Sequence, residues 1–232
     1  MEHIFLDFEM NPIPRENTEA RAVVLSEIIE IGAVRLDENY QLTDRFSLHV
    51  RPVLNVVQPN ITALTGITQA DVENAPLLEE ALHQFTDWIG EKPVRIYSWS
   101  NTDEKQLLRE CRLKEIELPR QFRRWMDFQR IYTRLLGLSR RSPLSLKNAL
   151  GASESDFEGS QHSAVADAEN SASLLTLVKD REAFAERTKV VLELMGKAPA
   201  PAGITLGDLF GDFSNIRRRK PSVRKDKKKK KR

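Results

Sequence analysis

The segment Ile4-Phe5-Leu6-Asp7-Phe8-Glu9 limits what this chain can become more than any other. A short apolar run whose last part alternates apolar and acidic residues is the pattern of a buried strand that ends in carboxylates. On such a strand Asp7 and Glu9, two apart, project from one face while Phe8 goes to the other. Glu27 to Leu36, rich in Ile and Val, reads as a second strand, and Asp37-Glu38-Asn39 supplies a turn. Arg45 to Arg51 then places Phe46, Leu48 and Val50 on one side, so these two strands predict a hairpin.

The later half alternates strand and helix, which makes the chain α/β. Leu78, Ala81, Leu82, Phe85, Trp88 and Ile89 recur at helical spacing after Pro76, a residue favoured in a first helical turn. Val94 to Trp99 reads as a strand. Asn101, with Glu104 three residues on, predicts a capping box opening the helix that carries Leu107, Leu108 and Cys111. A short strand near Arg124 to Asp127 is followed by a helix with Phe128, Ile131, Tyr132, Leu135 and Leu136 on one side. Further helices are expected over about 144–150, 164–178 and 183–195.

The 232 residues suit one α/β domain with an appendage. The body should run over residues 1–196, followed by a Pro/Ala linker, a short apolar stretch at 204–213 and a basic tail. No run of 18 apolar residues exists to span a bilayer, and the N-terminus lacks the basic region of a secretory signal. With one cysteine, Cys111, and no Cys/His cluster of zinc-ligand spacing, the expectation is a reducing compartment, the cytoplasm or in a eukaryote the nucleus, with no membrane partner. The net charge of +2 conceals an asymmetry: residues 217–232 carry twelve Lys/Arg against one acid, or +11, and the remainder is −9. So charged a tail, poor in apolar side chains, is expected to be disordered when free.

Several acids and one histidine stand where chemistry would need them. Asp7 and Glu9 at a buried strand end need a counter-charge, and a divalent cation can supply it; a bare D-x-E also fits solvated acids. Asp103 lies where strand passes to helix, where capping and the helix dipole alone would account for an acid. Asp167 sits in a helix among Ala164, Val165, Ala166 and Ala168, and a carboxylate packed there is costly unless paired or metal-bound. His162 precedes that helix after a flexible approach, as suits a general base, though solvation alone explains a lone surface histidine. Trp99 reads as a base-stacking platform or as core. Leu64 to Thr68 reads as a turn closed by Gly66.

Together, Asp7-x-Glu9 on a first strand, Asp103 at the start of a later helix, and His162-Ser-Ala-Val-Ala-Asp167 resemble the three motifs of the DEDDh 3′-to-5′ exonucleases. The resemblance covers about residues 4–178. Ile29-Glu30-Ile31-Gly32, Leu64-Thr65-Gly66-Ile67-Thr68 and the stretch from Trp125 to Tyr132 look most like the branch of the enhancer-of-RNA-interference exonucleases and the bacterial KapD-like proteins. One departure is Thr102 before the middle aspartate, where many relatives place an aromatic residue.

The resemblance implies a ribonuclease H-like fold, a mixed five-stranded sheet flanked by helices. It implies a metal-dependent exonuclease acting on single-stranded RNA or DNA 3′ ends, RNA favoured, and releasing nucleoside 5′-monophosphates. Two divalent cations, Mg²⁺ or Mn²⁺, would be used. Asp7, Glu9 and Asp167 would hold one, and Asp7 would bridge to a second whose outer shell includes Asp103. His162 would take the proton from the attacking water. Leu64 would be an apolar wedge in a segment with Thr65 that grips the terminal nucleotide, with the Met10 backbone near the 3′ hydroxyl. Arg217, Arg218, Arg219 and Lys220 of the tail would contact nucleic acid, and residues 204–213 would dock a protein partner or pack back on the body. The alternative is a non-catalytic binding protein on the same fold. Loss of any of these ligands or of the base would favour it, and none is lost.

Overall fold

The computed structural model describes residues 1–139 and 143–195. Chain contacts divide it into Met1–Ala200 and Pro201–Arg232. The tail candidates Arg217, Arg218, Arg219 and Lys220 and the stretch 204–213 lie outside the described residues.

The opening strand β1 (Glu2–Pro12) pairs antiparallel with β2 (Ser26–Leu36), and β2 pairs antiparallel with β3 (Leu42–His49). The turn between β2 and β3 is closed by the Asp37 carboxylate, which accepts the N–H groups of Asn39 and Gln41. On its other edge β1 pairs in parallel with β4 (Val94–Ser98), which pairs in parallel with β5 (Trp125–Asp127). The result is the expected mixed five-stranded sheet, in the order β3-β2-β1-β4-β5. β1 exceeds the expected Ile4 to Glu9 because its last residues stay paired with β2, down to Pro12 opposite Ser26.

The helices are α1 (Thr18–Arg21), α2 (Pro59–Thr65), α3 (Gln69–Val72), α4 (Leu78–Ile89), α5 (Thr102–Leu113), α6 (Phe128–Leu135), α7 (Leu146–Ala152), α8 (Ala164–Lys179) and α9 (Arg181–Leu194). None of them is long and apolar enough to cross a membrane. The first three escape a periodicity reading because two turns or fewer leave no repeat to detect. The capping box expected at Asn101 does not form. With φ −79° and ψ 9°, Asn101 is not in the extended conformation from which a cap reaches into the first turn, and its side chain accepts from Lys105 instead. A capping box forms instead at Thr68, paired with Asp71, at the start of α3.

The two faces of the sheet differ in chemistry. Ile4, Leu6 and Phe8 of β1 and Ile31 and Ala33 of β2 pack against Leu78, Ala81, Leu82, Phe85 and Ile89 of α4 and Leu107 and Cys111 of α5. The opposite face carries Phe5, whose ring stacks on Tyr97 at 4.8 Å and meets Phe128 of α6 edge-on at 5.3 Å. Further along that face stand Asp7 and Glu9, beside Gly32 and Glu30 of β2. Helix α8 lies over this polar end because its buried positions Ala164, Ala168 and Ala172 are small and the strand below it has no side chain at Gly32.

A Cβ on Gly32 would stand 2.2 Å from the backbone of Ala164 and Val165. Gly32→Ala is therefore expected to destabilise the protein at or above the top of the ~1–3 kcal/mol range for overpacking. Gly151→Ala, in α7 with nothing within 4 Å of the new Cβ, is expected to be neutral or slightly stabilising. Denaturant melts of the two variants check the contrast, and equal midpoints would refute the close approach of α8.

Candidate active site

The acidic residues gather where β1 outruns β4. The parallel pairing ends at Phe5 opposite Tyr97, so the N–H groups of β1 beyond that point need partners from elsewhere. The first turn of α5 supplies one: the buried Asp103 carboxylate accepts the N–H of Phe8, between Asp7 and Glu9, as well as its own N–H. The carboxyl ends of parallel strands are where open α/β sheets place their ligands. On the other edge the register slips between Glu9 and Met10, so that Glu9 faces Glu30 but Met10 faces Ile28. A bulge of this kind turns the strand at the site. The Ile28 N–H is taken by the buried carboxylate of Glu110, 2.9 Å away.

Helix α8 brings the remaining pieces. Its Asp167 carboxylate accepts the backbone N–H of His162. His162 is exposed and holds a left-handed backbone at φ 64°, a conformation that few non-glycine residues adopt and that clusters at functional positions. Glu9, His162 and Asp167 each present a ligand atom, and these atoms all lie within 4.8 Å of one another.

The electrostatics are one-sided. Burial, then Asp103, Asp167, Glu9 and Glu30, hold the Asp7 carboxyl well above its ordinary range. Burial pushes Glu9 up to about 8, with Asp167, Glu30 and Asp103 adding to it. Burial likewise raises Asp103 to about 7, against its two backbone hydrogen bonds. Asp167 is raised by burial, with His162 pulling the other way. The neighbours acting on Asp7 and Glu9 are thus other carboxylates, and such a cluster stays ionised at neutral pH only with a cation among them. Asp7, Glu9, Asp103 and Asp167 fit a divalent cation, and an all-oxygen set of this kind suits a hard ion.

The remaining candidates are more dispersed. Leu64 is half exposed on α2, and the Thr65 hydroxyl is committed to the Ile61 carbonyl at 2.9 Å. α2 stands beside the end of β1 because the buried Asn11 side chain bonds Val56 and Gln58 just ahead of that helix. Met10 is half-buried, with the Ser26 hydroxyl directed at its sulfur. Trp99 is buried against Phe128 and Tyr132, and its indole N–H donates to the Leu144 carbonyl. That placement favours the core over a base-stacking platform. Two buried residues that hold the elements around the site were given no role from sequence. Glu30 has a signal, a charge inside the apolar run Ile28 to Val34. Asn170, which fastens Glu158 through both its backbone N–H and its carbonyl, has none, since polar residues are common in helices.

The family described as Exonuclease matches residues 4–175. The zebrafish (Danio rerio) protein described as ERI1 exoribonuclease 2 is 29% identical over 194 residues, 74% of this chain and 34% of its own. The mouse (Mus musculus) 3′-5′ exoribonuclease 1 is 28% identical over 160 residues, 64% of this chain and 46% of its own. The chain therefore spans about a third to a half of the length of these relatives. The nuclease domain of 3′hExo, a DEDDh family member bound to rAMP, superposes with a TM-score of 0.68 at 25% identity, covering 77% of this chain and 92% of that one. With Asp7, Glu9, Asp103, Asp167 and His162 assembled at one end of a mixed five-stranded sheet, the chain belongs to the exonuclease family, within its DEDDh group and the ribonuclease H-like superfamily.

Proposed function

We propose that the chain is a 3′-to-5′ exonuclease that shortens single-stranded nucleic acid, RNA in preference to DNA, and releases nucleoside 5′-monophosphates. The observation that carries this reading is the buried carboxylate cluster with an exposed histidine against it, ligand atoms of Glu9, His162 and Asp167 lying within 4.8 Å. Asp7, Glu9, Asp103 and Asp167 would hold two divalent cations, Mg²⁺ or Mn²⁺, which when bound stabilise negative charge on the phosphate and the leaving oxygen. A ring nitrogen of His162, open to solvent, would accept the proton of the attacking water. Leu64, exposed on α2 beside the end of β1, would wedge against the terminal base, with Thr65 and the Met10 backbone bordering the same end. The preference for RNA is supported by the mouse relative's description as an exoribonuclease and by the rAMP in the 3′hExo nuclease domain.

The basic segment with Arg217, Arg218, Arg219 and Lys220 would add a salt-sensitive attraction for a polyanion that the acidic body otherwise repels. End-labelled RNA and DNA oligomers incubated with the full chain and Mg²⁺ or Mn²⁺ should shorten stepwise from the 3′ end, RNA faster. EDTA should stop the reaction, and a blocked 3′ hydroxyl should slow it. Internal cuts in a circular single strand would point to a different class of nuclease.

A further inference from the structure

The fifth carboxylate of the cluster, Glu30, lies directly opposite Glu9 in the β1–β2 register and is 7% exposed. Its two oxygens are both engaged. The Ser47 hydroxyl of β3 donates to one at 3.1 Å, and the backbone N–H of Ala164, the first residue of α8, donates to the other at 3.3 Å. We propose that Glu30 is a positioning residue that clamps the first turn of α8 to the sheet and thereby sets His162 and Asp167 against Glu9. This rests on the exonuclease reading above.

A fifth acid among four others adds repulsion, and it acts on Asp7, Glu9 and Asp167 alike. An apolar residue in β2 would have avoided that repulsion, so the reason for a carboxylate lies in what it holds. The first N–H groups of a helix have no partner within it, so an acceptor of the right reach fits there. Gly32, one step along the same face of β2, lets the same turn approach without a side chain between them. The segment carrying the histidine is thus fixed at both ends. Asn170 fastens it at Glu158 through bonds of 3.0 and 2.8 Å, and Glu30 fastens it at Ala164. Between these anchors, Gly159 to His162 are exposed. Any slack at Ala164 therefore passes to His162, two residues before it, and to Asp167, three after. With both oxygens occupied by donors from β3 and α8, Glu30 acts through those residues rather than on substrate.

Reach and charge can be separated by two conservative substitutions in the full chain. Glu30→Asp keeps the charge but shortens the side chain by one methylene, away from the Ala164 N–H. Glu30→Gln loses the charge but keeps an acceptor for Ala164, and its amide N–H can donate to the Ser47 hydroxyl, reversing the direction of that bond. Misplacement of about 1 Å at a catalytic group can lower a rate about a hundredfold, so Glu30→Asp should lower kcat roughly tenfold to a hundredfold with KM little changed. Glu30→Gln should stay within about threefold of wild type, on the same argument from placement. Because part of the effect runs through the histidine, Glu30→Asp should lower kcat by clearly less when His162 is already alanine than in the wild type. Hydrogen exchange of the Ala164 amide, read without cation or substrate, should quicken in Glu30→Asp and not in Glu30→Gln.

Glu30→Gln falling as far as Glu30→Asp would show that charge, not the clamp, is what matters. An equal loss in the His162→Ala background would show that Glu30 does not act through the histidine. If the wild type itself failed to shorten RNA or DNA, the exonuclease reading would fall, and Ala164 exchange alone would decide the clamp.

Discussion

Asp7→Asn is expected to abolish turnover and weaken divalent-cation binding while making the cation-free protein more stable. Asp7 is the carboxylate most hemmed in by its own kind, raised by burial first and then by Asp103, Asp167, Glu9 and Glu30. A carboxyl whose pKa is higher in the folded chain than in the unfolded one binds more protons when folded, so stability falls as pH rises from about 4 through the folded value. For Asp103 that value is about 7 and for Glu9 about 8. The cation-free melting temperature should therefore drop between pH 5 and pH 8, most steeply above about pH 6.5, because buried His3, lowered to about 4, acts in the opposite direction below its ordinary value. The lowered carboxyls Glu2 and Asp71 lose their contribution only below that window. A cation that binds only the folded chain stabilises it by mass action, so Mg²⁺ or Mn²⁺ should flatten the slope. Removing one charge relieves the repulsion and removes a ligand together. Melts in EDTA at several pH values, with calorimetric cation titrations at pH 7.5, check both halves. Normal cation binding by Asp7→Asn would overturn the ligand assignment, and a pH-independent melt would overturn the electrostatic account.

The parts of this arrangement that sequence reveals are those whose physics is local. Alternation in Leu6 to Glu9 places Asp7 and Glu9 on one face of β1 whatever surrounds them, and the alanines of α8 mark a face that approaches the sheet closely. What sequence cannot reveal is which polar residues will be buried together, because that depends on partners far along the chain. Glu27 and Glu110 are fully buried and share Lys114, at 3.0 and 2.8 Å. Each reads in the sequence as one more solvated charge on a chain rich in them. Their work is structural: Glu110 takes the N–H freed at the bulge beside Glu9, and Glu27 takes the N–H groups of Val53 and Leu54. Glu30 is intermediate. Its place in an apolar run is visible, but its role needs Ala164, 134 positions away. The failed capping box at Asn101 shows the reverse, a local rule overridden by the backbone path from β4 into α5, which sets Asn101 at ψ 9°.

His162→Ala is expected to lower kcat by roughly 10²–10⁴, the range for loss of a general base, with cation affinity close to that of wild type. The geometry leaves two roles open to the imidazole, since its ligand atom lies within 4.8 Å of those of Glu9 and Asp167. As a ligand, its loss would weaken cation binding much as Asp7→Asn does. As a base, its loss would leave the carboxylates in place and remove only the proton acceptor. The backbone supports the second role. Asp167 is lowered by the charge of the imidazole and by this residue's main-chain N–H; alanine loses the first but retains the second, so the substitution should not release the start of α8. His162 is also exposed, so little packing is lost and the melting temperature should scarcely move. The same exposure leaves room for a substitute, and free imidazole added to His162→Ala should recover part of the lost rate without altering that of the wild type. Cation titrations, melts and rates with and without imidazole distinguish the roles. A fall in cation affinity parallel to the fall in rate, with no recovery on adding imidazole, would make His162 a ligand and leave the proton to another acceptor.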